Sequence, residues 1–170
     1  HMDIHAKAKT MAATRSFGRM FIPVDLGGTL HFPKDSVPAV AVRNLRADIA
    51  AIPIEGEADL RFHTGSTAID GNIFIKECKV NDIIHKFVRN FIPEAEGIST
   101  DAVISLEASC NDRYVYGSGG LPAFKARLTV PESDISYEGI PAVVRMSVDT
   151  EAECKDGRLG VKIRNAKVRT

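Results

Sequence analysis

The side chains able to do chemistry are scattered along this chain. His5, His31, His63 and His85 fall on four separate stretches, and apart from His1 none has a nearby partner. A zinc site needs three or four converging ligands, usually with a short-spaced pair. Cys78, Cys110 and Cys154 are an odd number at wide spacing, which fits neither a CxxC metal pattern nor a disulfide framework. They read as small buried hydrophobes, with one disulfide left open. Nucleophilic serine has no GxSxG setting, and Gly117-Ser118-Gly119 is a lone loop without a partner signature. Gly27-Gly28 does not open a helix, so it is read as a turn or kink in a sheet rather than a phosphate cradle. Glu94 and Glu96 form a carboxylate pair that nothing positions, and they read as solvated. Asp70 and Asp156 each precede a glycine, which assigns them to turns. No set of residues amounts to catalysis, a metal or a cofactor.

Composition narrows the field further. The 170 residues are 44% hydrophobic, enough for one domain of ordinary size. Lys+Arg 22 balances Asp+Glu 22, so the basic excess of a nucleic-acid binder is absent. With aromatics at 6% and no Trp, stacking platforms for bases or sugars are not expected. His1-Met2 reads as a vector-derived scar, and 3–170 as a single β-rich domain. No run approaches the roughly 20 apolar residues of a membrane-spanning helix. The chain reads as a piece of a longer protein.

The elements that must position these residues are almost all strands. Leu30 and Phe32 alternate over 29–32; 39–45 starts apolar on both faces; Ala58, Leu60 and Phe62 oppose Asp59, Arg61 and His63. Ala102, Ile104, Leu106, Ala108 and Cys110 share one side of the next clear strand. The same alternation sets Phe124, Ala126, Leu128 and Val130 against Lys125, Arg127 and Thr129. It sets Val144, Met146 and Val148 against Arg145, Ser147 and Asp149, and Leu159, Val161 and Ile163 against Lys162 and Arg164. Period-two alternation this persistent predicts a sheet with one apolar and one wet face. After Arg164 the apolar parity passes to Ala166 and Val168, which predicts a bulge. The first residues, through about Ala13, read as frayed or as an edge strand. Connectors are expected at Pro33-Lys34-Asp35-Ser36, at 117–122 and at Lys155-Asp156-Gly157.

The exception is a helix around 82–92. Ile83, Ile84, Phe87, Val88 and Phe91 make one helical stripe over 81–91, with Asn81 or Asp82 as the cap and Ile92-Pro93 as the stop. This stripe is expected across the sheet's apolar face or plugging one end of it.

Two stretches also repeat. Asp48-Ile49 and Asp70-Gly71 recur 86 residues later as Asp134-Ile135 and Asp156-Gly157, each copy enclosing an Ile-Pro. Repeated hairpins at about 39–92 and 124–170 follow, with Asp-Gly as the turn in both. The fold class is therefore mainly β: an antiparallel, twisted sheet of repeated hairpins with one short helix.

The order of signals from 39 to 168 resembles the C-terminal region of the AsmA family, large envelope proteins of Gram-negative bacteria related to the TamB group. Asp70-Gly71-Asn72-Ile73-Phe74-Ile75, Val80-Asn81-Asp82-Ile83-Ile84 and Phe91-Ile92-Pro93-Glu94-Ala95-Glu96-Gly97 carry the resemblance. Phe124-Lys125-Ala126-Arg127-Leu128-Thr129-Val130 and Ile135-Ser136-Tyr137 continue it. The resemblance implies a periplasmic segment of a parent anchored in the inner membrane, with a role in outer-membrane biogenesis and phospholipid movement between membranes. It implies a gutter- or half-barrel-like form of the sheet, no catalytic residues and no cofactor. Its partners would be lipid acyl chains and other envelope proteins.

Two readings follow. In the first, an apolar β-groove shelters acyl chains, lined by Leu60, Phe62, Ile104, Leu106, Phe124, Leu128, Val144, Met146, Leu159 and Val161, with Ile83 and Phe87 at one end. In the second, the chain is a closed β-sandwich that docks another envelope protein. The state of the apolar face separates them: fully burying one Leu or Phe is worth about 1.5–3 kcal/mol, so an uncovered row needs an occupant.

Overall fold

A computed structural model describes residues 2–14, 18–34 and 37–170, with backbone alone over 10–14 and 18–21. His1, Asp35 and Ser36 of the scar and connector readings lie outside the described residues. Ten strands form one open antiparallel sheet: β1 Met2–Thr14, β2 Gly18–His31, β3 Ala39–Ile49, β4 Ile52–His63, β5 Ser66–Lys79, β6 Ile98–Thr100, β7 Val103–Val115, β8 Phe124–Tyr137, β9 Ile140–Lys155 and β10 Arg158–Arg169. Spatial order follows chain order, β1-β2-β3-β4-β5-β7-β8-β9-β10, with short β6 pairing the far end of β8. The sheet does not close on itself, and no second sheet lies over it. The sandwich reading therefore has no second layer among the described residues.

Alternation in the sequence explains the strands, and local irregularities explain their breaks. The first residues form β1, an edge strand paired with β2 along its whole length. Gly28 sits where the β2–β3 register shifts, opposite Asn44 in the left-handed region (φ 51°). That is the kink expected of Gly27-Gly28. On β10 the register shifts between Ile163 and Asn165, so Arg164 is the bulged residue that moves Ala166 and Val168 onto the apolar side.

The Asp70-Gly71 turn is corrected by the register. Asp70 and Gly71 lie inside β5, opposite Asp59 and Ala58 on β4 and Asn111 and Cys110 on β7. The reversal comes earlier, at Thr64-Gly65, where Gly65 has φ 76°. Gly71 serves a close approach instead: a Cβ there would lie 2.7 Å from the Glu57 carbonyl oxygen and 2.8 Å from Ala58 Cβ. Asp156-Gly157 is a true turn, with φ 51° and 70°. The two Asp-Gly pairs are thus not equivalent, although β3-β4-β5 and β8-β9-β10 are both three-strand meanders.

The helix is also shorter than its stripe. α1 spans only Val80–Lys86, followed by 3-10 turns at Val88–Asn90 and Pro93–Gly97. Phe87 leaves helical geometry (φ −128°, ψ −60°), and Ile92 before Pro93 is extended in ψ, which splits the stripe. Neither Asn81 nor Asp82 caps the helix. Lys79 holds the cap position without a side-chain bond, while Asn81 Oδ1 accepts from the Thr100 N–H at 3.4 Å. Asp82 pairs with Lys86 one turn on, at 3.2 Å. The connection packs against β6 and the end of β5, buries Ile84 and Ala95, and plugs one end of the sheet.

Candidate functional site

Cross-strand partners share a face, so the register sorts every side chain. One face carries Val24, Leu26 and Leu30 of β2, opposite Ile49, Ala47 and Val42 of β3. It continues through Ala58 and Leu60 of β4 to Gly71, Ile69, Ile73 and Ile75 of β5. Ile75, Ile73 and Gly71 oppose Leu106, Ala108 and Cys110 of β7, which oppose Leu128, Ala126 and Phe124 of β8. Phe124, Ala126 and Val130 meet Cys154, Ala152 and Val148 of β9, and Leu159 and Val161 of β10 close the row. The apolar parity of every strand thus falls on one surface.

Nothing among the described residues covers this surface. Of the twelve lining residues read from sequence, none is buried: Phe62, Leu159 and Val161 are 39%, 59% and 62% exposed, and the other nine are half-buried. Strands of 12–14 residues at about 3.3 Å each, side by side at about 4.8 Å, make a face on the order of 40 Å in each direction. That exceeds the few hundred Å² of the largest apolar patch on an ordinary monomer. Total exposure agrees: the chain exposes 11615 Å², against about 8,200 Å² for a compact protein of 18.5 kDa. The buried hydrophobics among the described residues are small, mainly Ala41, Ala47, Ala50, Ala95, Ala102, Cys78 and Cys154, so those residues form no large-residue core.

The register brings ten of the twelve onto this face. Ile83 and Phe87 lie on the plug at its end, where Phe87 packs edge-on against Phe91 at 5.1 Å. Sequence reasoning missed the contribution of β2, β3 and β5, whose Leu26, Val42, Ile69, Ile73 and Ile75 extend the same surface. The alternation of Ile73 and Ile75 with Phe74 was hidden because Phe74 is apolar but faces the other way.

The opposite face is charged, and its charges are paired across strands. Arg43 bonds Asp59 at 2.6 Å, Lys76 bonds Glu55 at 2.7 Å, and Arg145 bonds Asp134 at 2.7 Å. Arg127 holds Asp149 at 2.8 Å, Arg164 holds Glu151 at 2.6 Å, and Lys125 faces Glu153 at 3.7 Å. Hydrogen bonds from Arg127, Arg145 and Lys76 hold the carboxyls of Asp149, Asp134 and Glu55 below the ordinary range. A depression of about 570 Å³ here is lined by Arg46, Glu55, Asn72, Phe74, Lys76 and Glu107, among others. It is a gap between opposed long side chains. Among the described residues no group of three His, Cys, Asp or Glu converges to hold a metal ion.

The three thiols are free and all lie on the apolar face. Cys110 and Cys154 flank Phe124 from either side, two strand spacings apart, about 10 Å, too far for a disulfide. Burial raises the Cys78 and Cys110 thiols above their ordinary pKa.

Compared with known proteins, the chain matches no family model, no curated protein and no solved structure. No helix among the described residues is long and apolar enough to cross a membrane.

Proposed function

We propose that this chain is a non-catalytic segment of an AsmA-like envelope protein, and that its apolar sheet face shelters phospholipid acyl chains moving between the two membranes. The setting of this reading is the periplasm, in a parent held in the inner membrane. The observation that carries it is the uncovered apolar face spanning the sheet, backed by a face of paired charges. Hydrocarbon chains suit such a surface because they bring no hydrogen-bonding groups to satisfy, and roughly 1,000 Å² of apolar contact is worth about 25 kcal/mol gross. The all-antiparallel ladder satisfies the backbone internally, so an acyl chain meets only side chains.

The test is lipid extraction and native mass spectrometry of the purified chain, alongside Leu128→Glu on the apolar face and Ser109→Glu on the charged face. Phospholipid is expected with the wild-type chain and with Ser109→Glu. Leu128→Glu is expected to lose most of it, since a carboxylate facing hydrocarbon costs about 2–3 kcal/mol or more. An empty wild-type chain, or equal loading of all three, rejects the reading.

A further inference from the structure

The connectors of the sheet alternate between its two ends. Those after β3 and β8 share the end held by the plug. Those after β2, β4, β7 and β9 share the other end, at 32–38, 64–65, 116–123 and 156–157. Backbone bonds lace this loop end together. The Phe62 N–H donates to the Pro38 carbonyl at 2.8 Å, and the Tyr116 N–H donates to the Gly65 carbonyl at 2.9 Å.

The loop end shows large apolar side chains to solvent. Leu121 is 63% exposed, Phe32 56% and Tyr116 51%. Phe62 and Tyr114 lie on either side of Thr67 on the apolar face. Tyr116 shares a hydrogen bond with Thr67 and meets Tyr114 edge-on at 5.9 Å. Two of the three tyrosines therefore sit where the apolar face ends. A tyrosine has an apolar body and a hydroxyl tip, which suits the headgroup level of a bilayer. The stretch before Leu121 adds no bulk: Gly117 and Gly119 take left-handed φ of 76° and 68°, and nothing lies within 4 Å of a Cβ at either. Its polar groups bond within the loop, Ser118 Oγ donating to the Val115 carbonyl at 2.8 Å and accepting from the Gly120 N–H at 3.3 Å. Asp112 accepts from the Ala123 N–H at 2.6 Å, which fixes the far side of the loop. Polar groups satisfied in this way lower the cost of carrying Leu121 into an apolar boundary.

Charge decides between the two ends. The plug end also exposes Ile92, Tyr137 and Ile140, but among acidic groups. Asp82 and Glu96 there are matched by Lys86 and Arg89, and Glu94 and Glu138 are left exposed without an ion pair among the described residues. The loop end has Lys34, and Lys155 and Arg158 flank its Asp156-Gly157 turn. An anionic lipid surface attracts cations at this end and repels the acidic plug.

We infer that the loop end docks on an anionic phospholipid bilayer, with Leu121 and Phe32 entering the acyl boundary and Tyr114 and Tyr116 at headgroup level. The inference goes beyond the sheltering of acyl chains, because it needs only the exposed end and not a loaded face.

The chain contains no Trp, so Leu121→Trp and Ile140→Trp each place a single indole at one end. The probe is a vesicle of phosphatidylcholine and phosphatidylglycerol. Leu121→Trp emission is expected to move to shorter wavelength and to be quenched by bromine on the acyl chains, and Ile140→Trp is expected to do neither. In flotation with the same vesicles, Phe32→Ser/Leu121→Ser is expected to lower the partition coefficient of the chain at least about tenfold, since two apolar side chains lose their burial. Equal shifts at both ends, an unshifted Leu121→Trp or unchanged flotation of the double variant each overturns the proposal. So does a double variant that changes the sedimenting mass of the free chain, which makes this end an interface between copies. Native mass spectrometry separates the two readings. A shifted indole on a chain that carries no lipid rejects only the sheltering of acyl chains, and a loaded chain with an unshifted indole rejects only the docking.

Discussion

Arg127 on β8 reaches past its direct cross-strand neighbour Glu151 and grips Asp149, donating from Nε at 3.0 Å and from a terminal nitrogen at 2.8 Å. The diagonal leaves Glu151 free for Arg164 on β10, at 2.6 Å. One misaligned pair thus links three strands through the charged face. Bidentate geometry gives the Arg127–Asp149 contact, like Arg145–Asp134, a defined orientation on that face.

These pairs set the response to acid. Hydrogen bonds from Arg127, Arg145 and Lys76 hold Asp149, Asp134 and Glu55 below their ordinary values, and the Ala123 N–H does the same for Asp112. A carboxyl depressed in the folded state binds fewer protons there than in the unfolded chain. Its contribution is fully present above the unfolded value and is lost as pH falls through the folded one. The thermal midpoint is therefore expected to stay level from pH 7 to about 5 and to fall below about pH 4. Asp149→Asn should start lower at neutral pH and fall less steeply. A midpoint that rises on acidification contradicts the assignment.

Gly71 and Gly65 separate a packing glycine from a conformational one. At Gly71 an added Cβ meets the Glu57 carbonyl oxygen and Ala58 Cβ inside 3 Å, and both are held by the ladder. Gly65 has open space but φ 76°. Gly71→Val is expected to cost about 2–3 kcal/mol through forced separation of β4 and β5. Gly65→Ala should cost about 1 kcal/mol from backbone strain alone. Urea unfolding of the two variants checks the order, and a Gly71→Val as stable as wild type would mean that the close approach of β4 at Gly71 does not restrict the side chain there.

Strand identity and facing were legible because period-two alternation is local: Leu106 and Leu128 could be placed on one face before their pairing was known. The Arg164 bulge was legible for the same reason, as a change of parity in a single strand. What failed depended on distant partners. Asp70-Gly71 has turn composition, but whether a glycine bends or narrows a strand depends on what lies beside it, here Ala58 and Cys110 from two other strands. The helical stripe from Ile83 to Phe91 was real in spacing, yet its second half follows the demands of Ile92-Pro93 and of β6, which returns to pair with β8. Alternation alone does not show openness, because it looks the same whether or not a second layer covers the sheet; the gutter- or half-barrel-like form was implied by the resemblance, and the sheet is open.

The plug at the end of the face rests on one side chain. Ile84 is the buried residue of α1, while Ile83 beside it is half-buried. Ile84→Ala is expected to destabilise by about 2–4 kcal/mol and Ile83→Ala by clearly less. Hydrogen exchange should show the loss first over 80–100, leaving β1 to β4 protected. Uniform loss across the sheet would mean that the plug is not a separate stabilising unit.

The thiols report on the apolar face without any change of sequence. Cys110 is half-buried between Gly71 and Phe124, whereas Cys78 and Cys154 are each 2% exposed. All three are free, and burial holds the Cys110 thiol above its usual pKa, so alkylation at pH 7 is expected to be slow and to strike Cys110 first. Because Cys110 points to the apolar side, a short-chain phospholipid bound there should slow its modification several-fold, while lysines of the charged face such as Lys125 keep their reactivity. Intact-mass time courses with N-ethylmaleimide and with an amine reagent, with and without dihexanoyl phosphatidylcholine above its micellar concentration, read both rates. Protection of Cys110 and Lys125 together would point to nonspecific coating, and protection of neither would leave the apolar face without its occupant.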